Sequence, residues 1–176
     1  MEFLQSIKAL VPDTAKDIRL NLDAVIARSS LPADDALGCA LAAAFAARSP
    51  RLVAAFQGAL PQAVADGSLT AASLMGMNNV WYPFIEMADD DDLKTQRAEL
   101  RMNAYATSGG VSKRQFEAFA LAASIVGRCH FCVKSHYELL KKEGLTTLQL
   151  RDIGRIAAVV NATAQVLDAV GEEIAA

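Results

Sequence analysis

Sliding the chain against itself by 80 residues lays "ALAAAFAARSPRLVAAF" (40–56) on "ALAASIVGRCHFCVKSH" (120–136), with Ala40/Ala120, Leu41/Leu121, Ala42/Ala122, Ala43/Ala123, Arg48/Arg128 and Val53/Val133 identical. Each copy is followed by a glycine and a Leu-Thr pair, in "DGSLT" (66–70) and "EGLTT" (143–147). Two alanine-rich stretches limit the fold, because alanine has the highest helix propensity and its small side chain lets helices approach closely. The rest of the composition agrees: 53% of residues are hydrophobic but only 6% aromatic, with 10 glycines and 5 prolines. The expectation is an all-α fold with an internal two-fold repeat of helical halves. It forms a single domain, 1–176, with a degenerate half at about 30–90 and a chemically active half at about 110–172.

Helix punctuation supports this outline. Ser49 before Pro50 reads as an N-cap with proline in the first turn, and Ser112 with Gln115 and Thr146 with Gln149 have capping-box spacing. Gly67 and Gly144 read as stops. Helices are expected near 14–28, 32–47, 50–65, 70–86, 92–106, 113–127, 129–142 and 147–170. The run "DDDD" (89–92) reads as a solvated loop entering a helix.

Charge and hydropathy remove several function classes. A formal charge of -3 with scattered Lys and Arg leaves no basic footprint for nucleic acid. The longest apolar runs, 39–47 and 118–127, are about half a membrane span. The start, "MEFLQSIKALVPDTAKDIRL", places charges in its first turns, unlike a secretory signal. A cytoplasmic protein that neither enters membranes nor binds nucleic acid is expected. Three cysteines, an odd number, suit a reducing compartment better than a disulfide framework.

The chemistry lies where the two copies differ. Cys129, Cys132 and His136 stand opposite Ser49, Leu52 and Phe56. The first copy shows that such a scaffold can do without thiols, so the reactive set needs a reason other than packing. With Cys129 at a helix start, the two cysteines are three apart and can form a disulfide with little backbone movement, and His136 falls on the same stripe. Backbone N–H groups at the helix N-terminus favour a thiolate, and Arg128 is placed to add to that field; such sites lower a thiol pKa from about 8.5 to roughly 3.5–7.5. A thiolate of this kind attacks peroxides or disulfides, the second thiol resolves the product, and a nearby histidine can shuttle the proton. Cys-x2-Cys-x3-His also supplies three zinc-type ligands, so a zinc-stabilised binding module stays open. His130 lies about 200° around the helix from Cys132 and is expected at solvent or an interface. Cys39, inside an apolar helix, reads as a buried small hydrophobe. In "MGMNNVWY" (75–82), Met75, Met77 and Trp81 have core or interface spacing, and Asn78 and Asn79 can satisfy buried backbone groups or line a site.

These segments, with "AKDIRLNL" (15–22), "LRMN" (100–103) and a glutamate eleven residues before Cys-x-x-Cys-x3-His, resemble the AhpD family of alkyl hydroperoxide reductases, within the carboxymuconolactone decarboxylase-like superfamily. The resemblance covers nearly the whole chain. It implies a thiol-dependent antioxidant enzyme, a lipoyl-dependent alkyl hydroperoxide reductase and peroxidase, with no bound cofactor or metal. Electrons would pass from the dihydrolipoyl group of a lipoylated 2-oxoacid dehydrogenase component, through a redox Cys129–Cys132 disulfide, to an AhpC-type peroxiredoxin. Alkyl hydroperoxides would be reduced weakly by the protein itself. It further implies Cys132 as nucleophile, Cys129 as proton donor and resolving thiol, Glu117 and His136 as proton relay, and a homotrimer. Without the resemblance, Glu117 reads as an ordinary helix-start acid. One feature departs from the family: its best-known members carry histidine immediately before the second cysteine, where this chain has Phe131. A one-residue shift turns a helical side chain by about 100°, so His130 does not inherit that histidine's role. A decarboxylase of the carboxymuconolactone type on the same fold is the competing enzyme reading, but its acid/base chemistry has no need of a cysteine pair.

Overall fold

A computed structural model describes residues 1–171; the ends of the expected 110–172 half and of the 1–176 domain lie outside the described residues. Among the described residues there is no β-strand. The helices run α1 (Gln5–Ala9), α2 (Lys16–Ala27), α3 (Ala33–Ala46), α4 (Pro50–Gly58), α5 (Gln62–Ala88), α6 (Asp91–Thr95), α7 (Asn103–Ala106), α8 (Lys113–Gly127), α9 (His130–Lys142) and α10 (Thr147–Ala169), with short 3-10 turns at Glu2–Leu4, Asp13–Ala15 and Ser108–Gly110. The fold is all-α, as expected.

The two alanine runs form the centre. From Ala36 to Ala44 on α3 and from Phe116 to Ser124 on α8 every residue is buried. α3 and α8 pack on each other and both pack on α5 and α10. Small residues bring them together: a β-carbon on Gly38 would fall within the Phe119 ring. Capping boxes close the starts of α8, at Ser112 and Gln115, and α10, at Thr146 and Gln149. Ser49 precedes Pro50 at the start of α4, although its hydroxyl makes no cap hydrogen bond. Gly144, at φ 91°, follows α9 where a stop was expected.

Three expectations are corrected. The helix expected over 50–65 ends at Gly58, because Leu60 precedes Pro61 and is pushed out of the helical region. Gly67 is no stop: it lies buried inside α5, where its missing side chain makes room for Val111, so α5 runs from Gln62 to Ala88 through Pro83. The helix expected over 92–106 is interrupted between Thr95 and Asn103. Most of that segment is exposed, and a short helix without a buried face is marginal in water. Within the acidic run, Asp89 ends α5 in the left-handed region and Asp90 caps α6, while Lys94 pairs with Asp89 and Asp91.

Candidate active site

The corner between α8 and α9 sets the site. Arg128 takes the left-handed conformation at φ 56° and ends α8, and Cys129 becomes the N-cap of α9, its sulfur accepting from the Cys132 backbone N–H at 3.2 Å. The two cysteines have Cα atoms 5.3 Å apart and sulfurs at bonding distance, forming a disulfide. Both sulfurs approach the backbone oxygen of Asn78 on α5, at 3.9 and 3.7 Å. After reduction that carbonyl is placed to accept from a thiol. Asn79, next along α5, donates from its side chain to the Ala123 carbonyl near the end of α8. A β-carbon on Gly127 would run into that amide, so the glycine permits the approach that holds the corner against α5.

Behind the disulfide lies a buried acid–base pair. His136 Nδ1 is 2.6 Å from Glu117 Oε2, with Glu117 1% exposed and His136 6%. Tyr105 donates its hydroxyl to the other carboxylate oxygen. Burial pushes the Glu117 pKa up, but the hydrogen bonds from His136 and Tyr105 outweigh burial and hold the carboxyl below its ordinary value. An ionised Glu117 favours the imidazole tautomer with its proton on Nδ1. Nε2 faces the Met75 sulfur at 3.2 Å, a weak acceptor.

A cavity of about 360 Å³ opens beside this pair, lined by Cys132 and His136 together with Tyr82, Met102, Tyr105 and Phe131. Cys129 is fully buried and does not line it. Of the two sulfurs only that of Cys132 borders the cavity, and a thiolate on Cys129 would be stabilised by the Cys132 N–H and the start of α9. A better-stabilised leaving thiolate speeds exchange at its partner sulfur.

Glu117, Cys129, Cys132 and His136 are thus brought together. Phe131 is 55% exposed and stacks on Tyr82, ring centres 4.3 Å apart, forming one wall of the cavity. His130 lies outside the cavity, 84% exposed and 3.6 Å from Glu86. Arg128 is exposed and lines a separate groove with His130, Lys134 and Tyr137. Met75 is core, as its spacing suggested, while Met77 and Trp81 are half-buried. Cys39 is a free buried thiol whose pKa burial pushes up, with the charge of Asp35 adding to it. Among the described residues no group of three or more His, Cys, Asp or Glu could hold a metal ion, and the two His136 nitrogens are turned to Glu117 and Met75. Sequence reasoning missed Tyr105, Tyr82 and Met102. They come from α5 and the interrupted segment before α8, and no spacing relates them to the cysteine motif.

Fold and site define an all-α protein whose CxxC disulfide is backed by a buried carboxylate–imidazole pair. The model of the carboxymuconolactone decarboxylase family matches residues 91–172, the segment containing both cysteines, Glu117 and His136. Over nearly its full length the chain is 41% identical to alkyl hydroperoxide reductase AhpD of Rhodospirillum centenum, covering 94% of this chain and 91% of the relative. It is 41% identical to the AhpD of Streptomyces avermitilis, over 94% of this chain and 96% of that one. With the AhpD of Anaeromyxobacter dehalogenans identity is 40%, over 99% and 96%. The chain belongs to the AhpD family of alkyl hydroperoxide reductases.

Proposed function

We propose that the protein is a lipoyl-linked dithiol–disulfide enzyme of antioxidant defence. It carries electrons from dihydrolipoyl groups to an AhpC-type peroxiredoxin and slowly reduces alkyl hydroperoxides itself. The observation that carries this reading is the disulfide with one sulfur, that of Cys132, at a cavity it shares with His136, while Glu117 backs the imidazole.

In the reductive half, a dihydrolipoyl thiolate attacks Cys132 and Cys129 departs as thiolate, giving a mixed disulfide. The second lipoyl thiol attacks its own mixed-disulfide sulfur, releasing lipoyl disulfide and the Cys129/Cys132 dithiol. In the oxidative half, Cys132 attacks the disulfide of the peroxiredoxin and Cys129 resolves the mixed disulfide, releasing the peroxiredoxin dithiol, or Cys132 attacks the distal oxygen of a hydroperoxide. The second path yields a sulfenate and an alcohol, and Cys129 then displaces water to restore the disulfide. His136 moves protons to and from Cys132, and Glu117 stabilises the charged imidazole. Cys129 delivers the proton to the departing alkoxide. This chemistry needs no bound metal or cofactor and suits a reducing cytoplasm, where the donor would be a lipoylated 2-oxoacid dehydrogenase component. The active unit of this reading is a homotrimer; the exposed apolar stripe Val80, Phe84 and Met87 on α5 supports self-association, whatever the subunit number.

Dihydrolipoamide, a candidate AhpC and cumene hydroperoxide are the components of the deciding assay. The wild type is expected to turn over with all three, and Cys132→Ser to lose about three orders of magnitude or more. Full activity of that variant would reject Cys132 as nucleophile. A wild type that leaves its disulfide unreduced by dihydrolipoamide would reject the lipoyl link.

A further inference from the structure

Tyr105 belongs to α7, four residues long, in the interrupted stretch between α5 and α8. Its ring stands edge-on to Phe116, centres 5.6 Å apart at 85°, which fixes where the hydroxyl points. That hydroxyl donates to Glu117 Oε1, while Oε2 engages His136 Nδ1 at 2.6 Å. Tyr105 and His136 both line the cavity that holds Cys132, but the carboxylate between them is 1% exposed. A carboxylate at such depth must have its oxygens satisfied or it takes up a proton. His136 supplies one partner and Tyr105 the other.

We propose that Tyr105 is a positioning residue of this site: its hydroxyl holds Glu117 ionised and oriented so that the free oxygen keeps His136 in the tautomer that exchanges protons with Cys132. The proposal rests on the proton-relay reading above. Burial and the hydrogen bond to Glu117 both push the phenol pKa up, so the hydroxyl remains a donor throughout the working range. The other charged or titratable groups facing the pair are Lys113, one turn earlier on α8, and Tyr82 across the cavity from α5. Neither is hydrogen-bonded to Glu117.

Tyr105→Phe keeps the ring against Phe116 and removes only the oxygen, so folding and the disulfide should survive. The carbon-13 signal of the Glu117 carboxyl, assigned by its loss in Glu117→Gln, is expected to titrate at higher pH in the variant. The acid limb of the dihydrolipoamide reduction profile should move the same way, with an about tenfold loss of rate on the acid side, as befits one hydrogen bond to a charged group. An unshifted carboxyl titration would overturn the proposal. So would a shifted titration with an unshifted rate profile, which would leave Tyr105 a structural contact alone. If the wild type does not react with dihydrolipoamide, the functional reading fails, while the carboxyl titration still decides whether Tyr105 holds the charge of Glu117.

Discussion

The corner joining α3 to α4 and the corner joining α8 to α9 are built alike and equipped differently. In both, an arginine in the left-handed region follows the first helix, at φ 58° for Arg48, one residue past the C-cap Ala47, and 56° for Arg128, itself the C-cap. The next residue returns its N–H to a carbonyl five positions back, Ser49 to Ala44 at 3.1 Å and Cys129 to Ser124 at 3.3 Å. It also accepts the first bond of the following helix, from Val53 and from Val133. At the first corner Leu52 and Phe56 are fully buried and Leu37 stands where the second has Glu117. A cleft of about 610 Å³ lies beside the first corner, lined by Arg48, Ser49, Arg51 and Asp168 and reaching Gly171, with neither thiol nor imidazole in it. Backbone geometry at such a corner does not by itself make a redox site. It supplies a cap position and a helix start, and chemistry depends on which side chains occupy the next two turns.

Writing the first corner's side chains into the second should cost most. His136→Phe, copying Phe56, is expected to lower peroxide turnover about 10²-fold or more while the disulfide still forms, because the base is removed and the cysteine spacing is kept. Steady-state rates together with thiol counting check both parts; unchanged turnover would mean that His136 takes no part.

The reverse exchange is expected to act on stability more than on activity. Ser49→Cys with Leu52→Cys should give a second oxidisable pair, seen as a mass loss on oxidation and a mobility shift on non-reducing gels. It should add no peroxidase turnover when measured in a Cys132→Ser background. Loss of the buried Leu52 side chain should cost about 2–3 kcal/mol in chemical denaturation of the reduced form. Turnover from this pair would break the distinction between scaffold and site.

The smallest effect tests what the corners share. Arg48→Gly and Arg128→Gly each relieve a left-handed conformation that disfavours a β-carbon, so each should stabilise by about 0.5–1 kcal/mol in denaturant melts. Effects of opposite sign at the two positions would show that the corners are not energetically alike.

Much of this architecture is legible in the residues because it is set locally. The capping boxes at Ser112 and Thr146, the stop at Gly144 and the alanine runs of α3 and α8 depend on neighbours three or four positions away, and the structure carries them as the sequence implies. Gly67 failed as a stop because its role is a contact with Val111, distant in sequence. The stretch from Gln96 to Met102 is not helical, because helix-compatible residues without a buried face gain too little to stay helical.

The cysteine motif by itself determined that two thiols and an imidazole would lie together, since i, i+3 and i+7 positions on one helix share a face whatever surrounds them. Only the tertiary structure decided the rest. Glu117 arrives under His136 because α8 packs against α9, Tyr105 reaches the second carboxylate oxygen from the interrupted segment, and α5 brings Asn78 to the sulfurs and Tyr82 to Phe131. Those partners lie 12 to 54 positions from the groups they touch. No periodicity spans such separations; the packing of the alanine-rich core closes them.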